Sequence, residues 1–363
     1  MGEYSKFISE VRRAVPTPKD MVRDGKCVFG TFDREFETMD LLAIKRPSRA
    51  PSLMKRLRLT LWQATEVHLD NGVLVAALCD MGIFGLTLNV FYDKVEKKVY
   101  SWRTNLASKK TVIAPNLING SQAEATTKNS HVHYVNNFQD GRCDLDGHAD
   151  DGTNSIEYKF VLTRLSKPSV VSIPFAPLTE RHRPLYSQKD FFKAEGALVF
   201  NGKTYNCTET STTIVDDHRG YYPRRAHYDW VTAMGVNETD GEKKWFAFNL
   251  TRNQSVDQEK YNENLIWLHN ETSLLPPVTF TRDVDTRKFK NGALWTVKDE
   301  HGMVDVKFKV RDLFRMQTHA KPIANIDYFI VFGELEGYLL DEDGKKYVLD
   351  GMTGIGEDKT LLL

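Results

Sequence analysis

Residues 156–163 read Ile-Glu-Tyr-Lys-Phe-Val-Leu-Thr, with a hydrophobic side chain at every second position. These positions are Ile156, Tyr158, Phe160 and Leu162. Consecutive side chains of a β-strand point to opposite faces of the sheet, so the stretch predicts a strand with one buried and one exposed face. An α-helix would instead repeat its hydrophobic side chains about every 3.6 residues.

The same alternation recurs later in the chain. Residues 246–250 read Phe-Ala-Phe-Asn-Leu, and residues 304–310 read Val-Asp-Val-Lys-Phe-Lys-Val. Between hydrophobic stretches stand Asn-Gly at 201–202 and Asp-Gly at 343–344, the dipeptides that two-residue β-hairpin loops prefer. Neighbouring strands are therefore expected to pair antiparallel.

Helical patterning is thin along the whole chain. A short amphipathic pattern runs from Ile8 to Val15, and residues 261–268 fit either a brief helix or a strand. Many short antiparallel strands favour closure into barrels, because an open sheet of that size would leave unpaired edges. We therefore predict an all-β chain with little helix, built from antiparallel β-barrels.

A proline-rich segment divides the chain near its middle. Residues 166–190 lose the alternation and contain four prolines, which is typical of a crossing between domains. The predicted domains are an N-terminal barrel over residues 1–175 and a C-terminal barrel over residues 176–363. Each length suits a barrel of about eight to ten strands with room inside for a small ligand.

Composition excludes several classes of function. Lys and Arg number 49 and Asp and Glu number 49, so the net charge is zero and no nucleic-acid partner is expected. The four cysteines form no Cys-x-x-Cys pair, which argues against a zinc ribbon or a disulfide framework. No apolar run has the length of a signal peptide or a membrane span, so we expect a soluble, cytoplasmic protein that is not membrane-spanning.

The candidate site is the segment 216–230, which crowds acids, bases and aromatic rings around Gly220. Ionisable groups beside rings that exclude water are the combination that shifts pKa values and binds flat ligands. The candidate catalytic residues are Asp216, Asp217 and Glu263. The candidate ligand-binding residues are His218, Arg219, Tyr221, Tyr222, His227, Trp230, Trp245 and Trp267.

The two adjacent aspartates allow two interpretations. Asp216 and Asp217 must face opposite sides of a strand, so only one of them can face a given cavity. In an apolar barrel that acid would be partly protonated and could protonate an alkene or an enol, while Glu263 positions water. In the structural alternative, one aspartate pairs with Arg219 or with the arginines at 224–225 in a buried ion network.

The other candidates also have structural alternatives. Glu263 comes just before an apolar stretch, where it fits a turn as well as a pocket. Trp230, Trp245 and Trp267 fit core packing as well as a ligand wall.

A histidine pair is the one constellation that resembles a metal site. On a strand, His131 and His133 share a face. The acidic stretch 143–151 fails the calcium-loop pattern, because Ala149 stands where a Gly is needed, and a surface hairpin is the favoured interpretation. No P-loop, strand-linked G-x-G-x-x-G or G-x-S-x-G motif occurs, so no cofactor is expected.

Several motifs together resemble a known family. In the second half, the matching positions are Ser187-Gln188-Lys189, Gly196, Asp216, Gly220, Pro223, Trp230, Gly235, Phe248-Asn249-Leu250, Glu263-Asn264, Phe332-Gly333, Gly337, Asp343-Gly344, Gly354 and Glu357. In the first half, they are Trp62, Asp80, Gly82 and Gly85. This pattern resembles the bacterial and protist family known as domain of unknown function 2804. The chain departs from it at Asp217, where family members often carry an aromatic residue.

That family is similar, more distantly, to the lipocalin-like carotenoid and kievitone hydratases and to related fungal cyclases. The resemblance implies two consecutive lipocalin-like antiparallel β-barrel domains. It also implies a hydrophobic small-molecule ligand that is isoprenoid-, lipid- or polyketide-like.

Two functions follow as hypotheses. In the first, the chain hydrates, isomerises or cyclises a hydrophobic small molecule by acid–base chemistry without a cofactor. In the second, it is a non-catalytic carrier that uses the same cavity to bind a lipid or isoprenoid. A scaffold with filled barrels is a third, weaker alternative.

Overall fold

The structure of the chain is a computed structural model that describes residues 2–175, 183–239, 241–320 and 324–362. Strands take up 60% of the residues and helices 8%. The prediction of an all-β chain is therefore confirmed. Within the described residues, no helix has both the length and the apolar composition needed to cross a membrane.

The strands are β1 (Val22–Arg23), β2 (Lys26–Cys27), β3 (Gly30–Phe32), β4 (Thr60–Leu69), β5 (Gly72–Asp80), β6 (Phe84–Asp93), β7 (Lys98–Ala107), β8 (Thr111–Val112), β9 (Ser121–Thr126), β10 (Ser130–Asn137), β11 (Arg142–Asp150), β12 (Ser155–Arg164), β13 (Ser169–Pro174), β14 (Pro184–Phe200), β15 (Lys203–Asn206), β16 (Thr212–Gly220), β17 (Arg225–Thr239), β18 (Glu242–Arg252), β19 (Leu265–Leu268), β20 (Glu271–Leu274), β21 (Thr279–Arg282), β22 (Leu294–Lys298), β23 (Val304–Ala320), β24 (Ala324–Leu340), β25 (Lys346–Val348) and β26 (Thr353–Leu362). The helices are α1 (Glu3–Val11) and α2 (Lys55–Arg58), with short 3₁₀ helices at Leu41–Ala43, Ser52–Met54, Ser108–Lys110, Phe138–Asp140 and Thr286–Lys288.

The alternating stretches form the predicted strands. Residues 156–163 lie in β12, which alternates between exposed and buried side chains. Residues 246–250 lie in β18 and residues 304–310 in β23. Residues 261–268 end in β19, so the strand interpretation holds there. The strand pairs whose register the structure defines are all antiparallel, as predicted.

Contacts divide the chain into two compact units, and neither is continuous in sequence. The first unit contains residues 14–95 and 100–222, and the second contains residues 1–13, 96–99 and 223–363. Because the ranges of the two units alternate along the sequence, no single cut of the chain separates the units.

This division falls later in the chain than the predicted boundary at 175–176. Strand β14 pairs with β12 and with β16, and β16 pairs with β4. Hydrogen bonds across the predicted boundary thus keep the chain up to Tyr222 in the first unit. Residues 176–182 of the predicted crossing lie outside the described residues.

The first unit is a curved sheet in the order β7-β6-β5-β4-β16-β14-β12-β11-β10-β9-β8, extended by β13, β15 and β3. Its inner face buries a hydrophobic core but also carries polar groups that bond across it. Gln63 Nε2 donates to Asn136 Oδ1 at 2.8 Å, and Tyr158 Oη donates to Asn89 Oδ1 at 2.7 Å. Side chains therefore fill this part of the interior.

The second unit is a sheet in the order β20-β19-β18-β17-β26-β24-β23-β22-β21, with β25 on β24. The end strands β20 and β21 do not pair with each other in the described residues, so the sheet stays open there. Its hydrophobic core includes Phe248, Trp295 and Phe308. The unit is thus a curved sheet around its own core.

The N-terminal segment belongs to the second unit. Helix α1 ends at Val11 and leads into Arg12, which is 3% exposed. The Arg12 guanidinium donates to the backbone carbonyls of Leu275 at 2.8 Å, Asn264 at 3.0 Å and Asn262 at 3.2 Å. Burial lowers the pKa of Arg12 to about 10, which still leaves it charged at neutral pH. Three loop carbonyls of the second unit are therefore satisfied by a side chain from the start of the chain.

The Asn-Gly at 201–202 forms the predicted two-residue hairpin loop. Phe200 pairs directly with Lys203, and both loop residues have positive φ angles of 49° and 79°. A turn of this kind needs positive φ at both central positions, which Asn and Gly adopt more easily than other residues.

The Asp-Gly at 343–344 lies in a longer loop than predicted. Leu340 pairs with Lys346, so residues 341–345 connect β24 to β25. The Asp341 carboxylate accepts from the backbone N–H groups of residues 343 and 345 at 3.0 Å and 2.8 Å. These bonds stabilise a wider loop, and the predicted two-residue turn is wrong here.

Two glycines of the first unit provide a matched test of backbone constraint. A Cβ at Gly202 (φ 79°) would meet no atom within 4 Å, whereas a Cβ at Gly196 (φ 131°) would lie 2.1 Å from the Lys159 carbonyl oxygen. We expect Gly202→Ala to lower the free energy of unfolding by about 1–2 kcal/mol through φ alone. Gly196→Ala should add an overpacking cost of about 1–3 kcal/mol. Urea unfolding of both variants measures the difference, and equal losses would contradict the close approach.

Candidate functional site

The segment 216–230 forms a strand, a loop and a second strand. Its first part ends β16 in the first unit, and its last part begins β17 in the second unit, with residues 221–224 between them. The candidate residues therefore divide between two units, and each group has its own partners.

Asp217 forms a buried ion pair with Arg219. Its two carboxylate oxygens accept from Arg219 Nε at 2.6 Å and Nη2 at 2.8 Å, and the two residues are 1% and 3% exposed. Both lie on the inner face of β16, two residues apart. The remaining Arg219 Nη1 donates to the Pro115 carbonyl at 3.2 Å. This geometry favours the buried ion-pair alternative for Asp217.

Asp216 faces the opposite side of β16 and joins a cluster with two basic groups. Register places it opposite Lys189 of β14, and places His218 opposite Ser187. Asp216 Oδ1 lies 3.4 Å from Lys189 Nζ and 3.2 Å from His218 Nε2. Ser187 Oγ and Lys189 Nζ both lie 2.8 Å from that same nitrogen. We refer to these four residues as the Lys189 cluster.

The candidate aromatic residues of the first unit are packed and bonded. Tyr221 is 1% exposed, and its hydroxyl donates to the Leu41 carbonyl at 3.2 Å. Tyr222 is 8% exposed and lies against the ring of Phe175, with 5.6 Å between centroids. Both tyrosines therefore serve packing in the first unit.

The candidate tryptophans and Glu263 belong to the second unit. Trp267 is fully buried, Trp245 is half-buried, and Trp230 is 6% exposed and donates from Nε1 to Asn249 Oδ1 at 2.6 Å. Glu263 is 3% exposed and accepts from Asn253 Nδ2 at 3.1 Å. These contacts fit core and turn roles.

His227 is the candidate that lines an open cleft. The cleft has a volume of about 520 Å³. It is lined by His227, Arg282, Asp285, Thr286, Arg287, Asp327, Phe329, Asp358 and Thr360. All of these residues belong to the second unit, and we call this space the His227 cleft.

Strand register assembles the acidic wall of the His227 cleft. Asp229 on β17 pairs with Asp358 on β26 and with Arg252 on β18. Two carboxylates opposite each other repel unless cations lie beside them. Arg252 donates from Nε to Asp229 at 2.8 Å, and Arg282 contacts both Asp229 and Asp358.

His227 Nε2 lies between these two carboxylates, 3.2 Å from Asp229 and 3.3 Å from Asp358. Contact with Asp229 and then with Asp358 raises the pKa of His227 to about 9, although burial lowers it. Burial would raise the pKa of Asp229, but His227 and Arg282 outweigh it and lower the value to about 2. Arg252 Nη2 lies 3.3 Å from His227 Nδ1, and this contact opposes protonation of that nitrogen. At neutral pH the site thus contains an imidazolium between two carboxylates.

Sequence reasoning also missed a buried group of ionisable residues around Asp190. Asp190 is fully buried on the inner face of β14 and contacts Arg164 at 2.7 Å. Gln188 donates to Asp190 at 2.7 Å, and Arg164 also pairs with Glu35. Burial raises the pKa of Asp190 to about 6, with Arg164 opposing and Glu35 adding to the shift.

The structure therefore brings together only part of the predicted set. Asp216 and His218 share the Lys189 cluster, Asp217 and Arg219 form one pair, and His227 lines a cleft. Lys189 belongs to the Ser187-Gln188-Lys189 motif of the family resemblance but was not assigned to the site. The missed partners Arg252, Arg282 and Asp358 lie on other strands, and no short-range motif marks them, because strand pairing brings them to the segment.

Comparison with known proteins identifies the family. A family model described as domain of unknown function (DUF2804) matches residues 12–361. The chain belongs to the DUF2804 family. A search of curated proteins found no match to it.

Two solved structures resemble this DUF2804 protein. Kievitone hydratase from Nectria haematococca is 12% identical, with 84% of this chain and 88% of that chain covered and a TM-score of 0.49. An AttH-like protein from Nitrosomonas europaea is 12% identical, with 83% and 92% covered and a TM-score of 0.51. The latter likeness concerns the fold, and it confirms the predicted double lipocalin-like fold, here a nearly closed barrel and a half-barrel.

The ion pair of Asp217 predicts a loss of stability rather than a specific loss of function. Asp217→Asn leaves the buried Arg219 without its counter-charge, which should lower the free energy of unfolding by about 3–5 kcal/mol. Asp144 provides a matched control, because it pairs with Arg142 at the same spacing but at the surface. Asp144→Asn should change stability by at most about 1 kcal/mol. Urea unfolding compares them, and similar losses would refute the role of burial.

The raised pKa of His227 predicts a pH dependence of stability. Its ordinary pKa of 6.5 becomes about 9 in the folded protein. The stabilisation is therefore fully present below pH 6.5 and is lost as the pH rises through 9. Comparison of urea midpoints for the parent protein and His227→Gln between pH 6 and 10 should show a difference that shrinks across this window. A difference independent of pH would contradict the assignment.

Proposed function

We propose that this DUF2804 protein binds an oxygen-bearing hydrophobic small molecule at the His227 cleft and transfers a proton to it, without a cofactor, in a hydration or isomerisation. The observation that carries the proposal is an imidazole held 3.2 Å and 3.3 Å from two carboxylates at the wall of an accessible cleft, a contact that raises its pKa to about 9. Such a group can act as a general acid if a substrate reaches it.

The charges of the cleft indicate what kind of ligand it suits. Its basic lining residues are His227, Arg282 and Arg287, and its acidic ones are Asp285, Asp327 and Asp358. Because these charges balance, the cleft favours neutral hydroxyl or carbonyl groups over a strongly charged ligand. The Phe329 ring adds an apolar contact. An isoprenoid- or polyketide-like molecule has both features.

In a hydration, the His227 imidazolium gives its proton to one carbon of an alkene. Water then adds its oxygen to the neighbouring carbon, and Asp358 accepts the proton that this water releases. Return of that proton to His227 restores the site, so the net change is the addition of one water molecule. The buried Asp229 stabilises the imidazolium and orients the ring.

This mechanism differs from the expectation drawn from the sequence. The proton donor is an imidazolium rather than a neutral carboxyl at Asp216 or Asp217. Glu263 has no step in it, since its carboxylate is held by Asn253 within the second unit.

A non-catalytic carrier is the second candidate function. The contacts of Asp229 with His227, Arg252 and Arg282 form a compact ion network that would also stabilise β17 against β18 and β21. A carrier would use the same cleft but would need no proton transfer.

Deuterium incorporation separates the two functions. Purified protein is incubated in D₂O with an organic extract of the cells that produce it, and the extract is analysed by mass spectrometry. An enzyme should add D₂O to one component of the extract or exchange a carbon-bound hydrogen of that component for deuterium. The His227→Gln variant should lose this activity, while native mass spectrometry still shows the bound ligand. His269→Gln, an exposed histidine of the same unit, is the control.

Three other outcomes would change the conclusion. Bound ligand without any incorporation supports the carrier. Loss of incorporation in Asp216→Asn but not in His227→Gln would place the proton donor in the Lys189 cluster. If neither a bound ligand nor deuterium incorporation is detected, the proposal is refuted.

A further inference from the structure

Three strands of the first unit present a group of histidines and acids on their outer face. His131 and His133 alternate with buried residues along β10 and lie on the outer side of the sheet. Register places His133 opposite Asp146 and His131 opposite His148 on β11. One nitrogen of each of the first two rings and one Asp146 oxygen all lie within 4.8 Å of one another.

Both imidazole rings point a nitrogen at the same carboxylate. His131 Nε2 lies 3.3 Å from Asp146 Oδ2, and His133 Nδ1 lies 3.1 Å from Asp146 Oδ1. Whether a hydrogen lies between each of these nitrogens and its carboxylate oxygen depends on which nitrogen of the ring is protonated. The neighbouring strand β9 provides a partner for the other nitrogen of each ring.

For His131, a chain of hydrogen bonds is compatible with a proton on Nδ1. Thr126 Oγ1 lies 2.9 Å from Glu124 Oε1, to which it can donate its hydrogen. It also lies 2.8 Å from His131 Nδ1, and in that arrangement it accepts from this nitrogen. In the neutral ring Nε2 then has a lone pair directed at Asp146.

For His133, Gln122 offers a partner to the other nitrogen. The Gln122 amide oxygen lies 3.4 Å from His133 Nε2 and can accept a hydrogen bond from it. In that neutral tautomer the lone pair is on Nδ1, which is the atom that faces Asp146. One carboxylate thus faces two imidazole nitrogens, and either protons on these nitrogens or a bound cation must lie between them.

We propose that His131, His133 and Asp146 bind a transition-metal ion of the Zn²⁺ type. Ligand atoms 2.0–2.1 Å from a tetrahedral zinc lie about 3.3 Å apart, and His131 Nε2 and His133 Nδ1 lie 3.3 Å and 3.1 Å from the two Asp146 oxygens. Thr126 and Gln122 hold the two rings as outer-shell partners usually hold metal-binding histidines. His148 is exposed beside His131, with ring centroids 5.7 Å apart, and can supply a fourth ligand.

The second histidine–carboxylate group of the chain is a poorer candidate. His227, Asp229 and Asp358 also converge within 4.8 Å. However, Arg252 and Arg282 already supply positive charge to Asp229. The guanidinium groups occupy the place of a metal ion there, whereas no Lys or Arg is among the described ion-pair partners of Asp146. This inference is independent of the proposed function.

Calorimetric titration of the full chain without an affinity tag tests the site. ZnCl₂ added to metal-free protein should bind with one ion per chain, and MgCl₂ should not bind, because imidazole ligands suit zinc and not magnesium. His131→Ala and His133→Ala should each weaken zinc binding at least tenfold. His269→Ala, an exposed histidine outside the group, should leave it unchanged.

An outer-shell variant distinguishes a built site from casual chelation by surface histidines. Thr126→Val removes the bond that fixes His131 and should weaken binding about 10–100-fold. Absence of zinc binding would overturn the proposal, and so would zinc binding unchanged in His131→Ala or Thr126→Val. Binding abolished by His227→Gln alone would place the metal in the cleft instead and would also overturn it. Circular dichroism checks that each variant is folded.

Discussion

A charge taken out of water must be met by an opposite charge, and this requirement shapes the interior of both units. Asp217 and Arg219 satisfy one another on a single strand. Asp190 and Glu35 share Arg164 across the first unit, and Asp229 is shared by Arg252 and Arg282 in the second. The pairs that join different strands, such as Asp229 with Arg252, add to the hydrophobic pattern in specifying strand register.

Local patterns predicted the strands well, whereas the division into units depends on pairing between distant residues. Alternation over residues 156–163 and 304–310 reports burial on one face, which depends only on neighbours in sequence. Long-range pairing sets the division into units, since β16 pairs with β4 about 150 residues earlier in the chain. No periodicity carries that information. Loop length escaped prediction too, because Asp341 stabilises the wider turn at 343–344 with its side chain.

The candidate site shows the same limit at the level of side chains. The segment 216–230 concentrates charged and aromatic side chains. Strand geometry correctly implied that Asp216 and Asp217 face opposite sides of their strand. The pairing of Asp217 with Arg219 depends on a two-residue spacing along one strand, so the sequence could offer it as an alternative. The partners of His227 could not, because Asp358 and Arg282 come from strands far along the chain. The balance of acids and bases around His227, and so its pKa, exists only after those strands pair.

The position of Arg12 has a consequence for how the chain is made. Between 250 and 263 residues separate Arg12 from the three carbonyls that it binds, so it is translated well before them. The sheet of the first unit can complete once residue 222 has been translated, whereas Arg12 can dock only after residue 275 has followed. Docking of helix α1 against the second unit is therefore a late step of folding during translation.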